Sequence, residues 1–146
     1  MKNFGFTILE IVVVIGIIVL VTISSLPAIR TAQQNSSLKR EARTLLNDLR
    51  LAQQLTIGQQ VTHLIKIFGT NPNKYQLISR SDSDTIIKEH VLNNKVSWQN
   101  TGDFTNNEII FTISGSAVET GTIILQNTAG LTSSLEIKPS GYVKIN

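Results

Sequence analysis

The sequence predicts an α+β protein: a long N-terminal helix, apolar all round in its first half and amphipathic in its second, packed on an antiparallel β-sheet or small β-sandwich head. Three observations carry this expectation. The run IVVVIGIIVLV at 11–21 is extended by apolar residues at 6–9 and by Ile23 and Leu26. Beyond Pro27, Leu38, Ala42, Leu45, Leu49, Ala52 and Leu55 recur at spacings of three or four, the period of one helix face. From Gln59 onwards, short β-branched segments alternate with turn formers. A chain of 146 residues with formal charge +3 fits one modest domain plus one special segment. Having no cysteine, it cannot build a disulfide framework, a thiolate metal centre or a Cys nucleophile.

The first element covers about 21 residues, which as a helix would be about 30 Å long, the thickness of a bilayer core. Its one ionisable residue is Glu10. A cleaved secretory signal fits poorly, because a single base, Lys2, precedes the run, an acid opens it and no A-x-A-like site follows. A buried core helix would need covering on every side, which the remaining short segments are too few to do. A plain membrane anchor fits by length but leaves Glu10 unexplained. A carboxylate inside the apolar edge costs on the order of 1–3 kcal/mol unless it snorkels, protonates or finds a partner.

The second half of the helix places Lys39, Arg40, Arg43, Asp48 and Arg50 largely away from the apolar stripe. Pro27 removes the hydrogen bond to the Ile23 carbonyl and predicts a bend. Helix from Thr7 to about Ile57 would be roughly 75 Å long. Strands are predicted at 61–68, 74–79, 85–91, 96–98, 108–114, 121–126, 134–138 and 142–145, with turns at 71–73, Asn93-Asn94, Asn106-Asn107, Gly115, Gly130 and Pro139-Ser140-Gly141. No connection is long enough for a crossover helix, so the pairing should be antiparallel. The stretches 79–84 and 99–107 read as mobile, solvated loops.

Little in this pattern supports catalysis. GxxxxGK[ST], GxGxxG and GxSxG are all absent. His63 and His90 are isolated on strands with no acid–base partner evident in the sequence. Asp82-Ser83-Asp84 opens like a calcium loop but lacks the later ligands and the glycine. The expectation is a protein that is not an enzyme and takes no cofactor or metal.

The stretch Gly5-Phe6-Thr7-Ile8-Leu9-Glu10, followed by the apolar run, resembles the class III signal of type IV pilins and pseudopilins. The resemblance implies that a prepilin peptidase cuts between Gly5 and Phe6 and that the new N-terminus, Phe6, is methylated. It also implies that Glu10 pairs with the N-terminal amine of a neighbouring subunit, and that Pro27 is a helix-kinking proline. The domains would be a leader at 1–5, a transmembrane and assembly helix at 6–26, its amphipathic half at 27–58 and a β-rich head at 59–146. The partners implied are other pilin or pseudopilin subunits, the peptidase and the membrane. The bases flanking the span do not set its direction. A single pass of the inner or cytoplasmic membrane with the head outside, in a surface or periplasmic filament, is taken from the resemblance.

A narrower resemblance rests on ARTLLNDLRLAQQLTIGQQ at 42–60, GTIIL at 121–125 and IKPSGYV at 137–143. These are similar to the GspH/FimT group and to ComGD-type minor pseudopilins, which favours competence-type DNA uptake or pilus assembly over type II secretion. There, the glycine before the last strand allows a tight turn, the part Gly141 would play. A membrane-tethered or pilus-tip DNA-binding module is the alternative. Some FimT-like proteins carry a GRxR motif, whose positions here are Gly141, Tyr142, Val143 and Lys144, so neither Arg is kept. Lys138, Tyr142 and Lys144 are the candidate DNA contacts, since an aromatic beside a cation can stack and pair with a single strand. Charge argues against them. The head holds seven bases and seven acids, and the net basicity lies on the helix, with Arg30, Lys39, Arg40, Arg43 and Arg50 against Glu41 and Asp48.

Overall fold

The computed structural model describes residues 7–69 and 72–146, the side chains of 25–28 and 30 excepted. Asn71 of the expected 71–73 turn lies outside the described residues. Helix α1 spans Ile8–Gln59. The chain divides into two compact units between Gln33 and Gln34, inside this helix.

In the first unit, Thr7 caps α1. Its hydroxyl accepts the Glu10 N–H at 3.2 Å, and its carbonyl accepts the N–H groups of Glu10 and Ile11. A Thr followed three residues later by Glu is a capping-box spacing. The side chains from Thr7 to Ser24 are all exposed, Ile8 at 83% and Leu20 at 68% among them. The hydroxyls of Thr22 and Ser24 donate back to the carbonyls of Ile18 and Leu20 at 2.7 and 2.9 Å, which satisfies them without water. Helix α1 is continuous through Pro27. The expected bend falls on a residue whose side chain lies outside the described set. Among the described residues no helix is long and apolar enough to cross a membrane. The uninterrupted run of described side chains stops at Ser24, short of position 26, to which the sequence extends the span.

The second unit holds the rest of α1 and eight strands. Sheet one has the order β3-β2-β1-β5, with β1 Thr62–Phe68, β2 Lys74–Arg80, β3 Asp84–Val91 and β5 Glu108–Ile110. Sheet two has the order β4-β6-β7-β8, with β4 Val96–Asn100, β6 Gly121–Asn127, β7 Thr132–Ile137 and β8 Val143–Ile145. Every pairing is antiparallel. Leu38, Ala42, Leu45, Leu49 and Ala52 enter one cluster with Ile65, Ile67, Tyr75 and Leu77 of sheet one and Ile123, Leu125, Leu135, Ile137 and Val143 of sheet two. The helix stripe is thus the layer that both sheets share. Alternate residues of β6 and β7 are buried, as a half-covered pleat requires. Burying each large aliphatic contributes about 1.5–3 kcal/mol. The helix stops where Gln60 turns left-handed at φ 56°, its side-chain amide donating to the Ile57 carbonyl at 2.7 Å.

Three expectations need correction. In 79–84, β2 continues to Arg80 and β3 begins at Asp84, leaving a tight turn that an Arg80–Asp84 ion pair at 3.1 Å spans. In 99–107, β4 runs to Asn100, Phe104 is buried and a 3-10 turn follows at Thr105–Asn107, whose Thr105 donates through N–H and hydroxyl to Glu119. The strand expected at 108–114 ends at Ile110. Phe111 makes only an isolated bridge to Ala117, and Thr112 then closes a turn by pairing with Ser116.

Candidate functional site

The sequence directs attention first to the front of α1. Gly5 and Phe6 lie outside the described residues. Glu10 is described, and its carboxylate is exposed in the first turn of the helix. The orphan N–H groups there favour a negative charge. Among the described residues it has no ion pair. Around it stand Ile8, Leu9, Ile11, Val12, Val13 and Val14, all at least half exposed or close to it. Among the described residues the site is an acid without an ion pair on an apolar rod, a group that another molecule can neutralise.

Within the second unit, α1 is fastened to sheet one by polar contacts that the helical pattern did not reveal. Asp48, which the sequence places on the solvent side, is 4% exposed. It accepts the Tyr75 hydroxyl at 2.6 Å and the Lys88 ammonium at 2.7 Å. Burial, then the hydrogen bond to Asp48, then the charges of Asp48 and Glu41 hold the Tyr75 phenol far above the usual tyrosine range, so it stays a donor. Glu41 is buried as well and meets His90 Nε2 at 2.7 Å. His90 therefore has an acid partner, contrary to the sequence expectation, and its ring lies 5.2 Å from that of Tyr75. The arrangement is a clamp between helix and sheet. Both Asp48 oxygens are engaged, and Glu41 meets His90 through Oε2.

A second ionic group lies on sheet one. Glu108 is buried and takes hydrogen bonds from Lys66 and Arg80, each at 3.0 Å. Burial works against its charge, but these bonds prevail and hold its carboxyl below the usual range. Hydrogen bonds from Arg80 do the same for Asp84. His63 is fully buried. Its Nδ1 lies 2.8 Å from the Val61 carbonyl, which assigns the proton to that nitrogen, and its Nε2 has no partner among the described residues.

The three candidate nucleic-acid residues sit together around the last turn. Lys138, Tyr142 and Lys144 are exposed, and the Lys138 N–H donates to the Tyr142 carbonyl at 3.0 Å. Lys144 stands opposite Glu136 on β7, so an acid sits beside its charge. Gly141 makes the turn at φ 76°, and a side chain there would strike the Gly115 carbonyl and the Gln53 amide. Gln53 itself donates to Gly115 at 2.6 Å, so this turn is seated against both the helix and the 112–116 turn.

A family profile described as type II transport protein GspH matches residues 41–141. No curated protein matches the chain in sequence. Among solved structures, the minor pseudopilin EpsH from the type 2 secretion system of Vibrio cholerae superposes with a TM-score of 0.63 at 11% identity, over 75% of this chain and 96% of that one. The type IV minor pilin FimU of Pseudomonas aeruginosa gives 0.60 at 16% identity, over 77% and 90%. These two share the fold: a long helix laid on antiparallel sheets. With more than half its length matched by the profile, the chain belongs to the GspH family and has the pilin-like fold of minor pseudopilins and minor pilins.

Proposed function

We propose that this protein is a minor structural subunit of a type IV pilus-like filament and performs no chemistry. The observation that carries the reading is the exposure of every described side chain from Thr7 to Ser24, most of them large aliphatics, with one acid among them. Water does not tolerate such a rod. Lipid covers it before assembly, and the equivalent helices of neighbouring subunits cover it afterwards.

On this reading a prepilin peptidase cuts between Gly5 and Phe6, Phe6 is methylated, and residues up to about 26 anchor the precursor in the membrane with the β-rich unit outside. Glu10 takes the Phe6 amine of a neighbour, so that the cost of a carboxylate in apolar surroundings becomes a preference for one register. Pro27 bends the helix between the anchored and the sheet-bound parts. The family description and the likeness to EpsH and FimU support secretion or pilus assembly as the filament's setting. Competence-type DNA uptake has the sequence resemblance alone.

The test is Glu10→Ala in the native host, with sheared filaments assayed for the subunit. A filament subunit disappears from the sheared fraction and accumulates in the membrane. A membrane-tethered binding module would keep its activity without Glu10, and retention of the variant in filaments would overturn the role given to this residue.

A further inference from the structure

Charge is unevenly exposed on the second unit. Glu41 and Asp48, the acids of this part of α1, are buried and bound by His90, Tyr75 and Lys88. Lys39, Arg40, Arg43 and Arg50 are exposed and have no ion pair among the described residues. The outward face of the helix therefore presents four cations and no acid, a stronger field than the net charge suggests. Lys39 and Arg43 are neighbours one turn apart, with Cβ atoms roughly 6 Å from each other. Both line a groove of about 480 Å³, which Leu131, Thr132 and Ile145 border on the side of sheet two. Leu131 is 48% exposed, an apolar contact beside a cationic wall.

A second copy offers this groove no row of free acids: its exposed Glu10 is taken by a neighbour's Phe6 amine on the filament reading. Glu89, Asp84 and Glu108 are bound to cations, and Glu119 is held by Thr105. The remaining acids of the β-rich part are Asp82, Asp103 and Glu136, on the β2–β3 turn, the loop after β4 and strand β7 respectively. They form no row to set against Lys39 and Arg43. We propose that the groove between α1 and the β7–β8 end of sheet two docks an acidic segment with an apolar anchor from a partner protein other than a second copy. This deepens the filament reading and rests on it for the identity of the partner as another subunit. The partner's carboxylates meet Lys39 and Arg43, and its apolar side chain packs on Leu131 and Ile145.

The test uses the full chain in its native host with a photo-crosslinking amino acid at position 132. The expected product is a heterotypic pair whose crosslinked peptide from the partner is acidic. Lys39→Glu with Arg43→Glu lowers its yield about tenfold, while Arg50→Glu, outside the groove, changes it less than twofold. Replacing the acids of the crosslinked peptide by Lys restores the yield of the double variant. Protease resistance reports folding, and Lys39→Gln with Arg43→Gln replaces the reversal should that unfold the chain. A homotypic product, a crosslink to nucleic acid or lipid, no product, or a yield indifferent to both double changes overturns the proposal. Incorporation into sheared filaments is scored in the same cells. Incorporation without the charge-dependent product sinks the docking site alone, and the product without incorporation sinks the filament reading alone.

Discussion

Along α1, residues 8–24 leave isoleucine, leucine and valine exposed on every face, whereas Leu38, Ala42, Leu45, Leu49 and Ala52 are each at most 4% exposed. Both stretches are apolar and helical, so hydrophobicity alone does not separate them. The number of apolar faces does. One stripe can be covered by the chain's own two sheets, and the polar residues beside it find partners on β2 and β3. A helix apolar on all sides exceeds what eight short strands can cover and has to be satisfied by lipid or by other helices. One part of the helix thus stabilises a fold, and the other leaves its apolar side chains exposed.

This contrast is open to attack by substitution. The largest expected effect is Leu49→Ala, which removes a fully buried side chain between the sheets and should cost about 2–5 kcal/mol in unfolding of the β-rich unit. Val14→Ala, in the exposed stretch, should leave that transition within about 0.5 kcal/mol. Equal losses would erase the distinction. Next comes Gly141→Ala, expected to cost at least about 2 kcal/mol because left-handed backbone and a steric clash coincide. Gly130→Ala shares the positive φ, at 83°, but has open space around it, and should cost only about 1 kcal/mol. Chemical denaturation of the pair measures the difference.

A smaller change is expected from Asp48→Asn, about 1–3 kcal/mol, since the amide keeps one acceptor for Tyr75 and loses the charge that faces Lys88. The smallest is a pH effect. Glu108 is held below its ordinary value of 4.5, so its contribution is complete above that value and disappears as the pH falls through 4.5 towards the depressed folded value. Asp84, Glu89 and Glu119 are shifted in the same direction and act with the same sign. Glu108→Gln should flatten the acid limb of a stability–pH curve without abolishing it.

Most of this division was legible before any coordinates. Alternation and turn residues located all eight strands, and the three- and four-residue spacing named the buried stripe. What escaped were contacts between distant segments. Helical periodicity counts Asp48 as a solvent residue because its acid is charged, and nothing local announces that Tyr75 and Lys88 will fold over it. Glu41 and His90 are 49 residues apart and failed to show for the same reason. The shortened β5 has another cause: Thr112 prefers to bond Ser116, and that turn ends the ladder. At the front of the chain, the sequence pattern supplies an expected processing site, and the structure supplies the exposed rod and an acid with no ion pair among the described residues.

The central claim is that this rod is trimmed and buried among its own kind. The direct test is mass spectrometry of the subunit recovered from sheared filaments of the native host. The account requires an N-terminal peptide beginning at methylated Phe6. Filament material in which Met1 is still joined through Gly5 to Phe6 would contradict it.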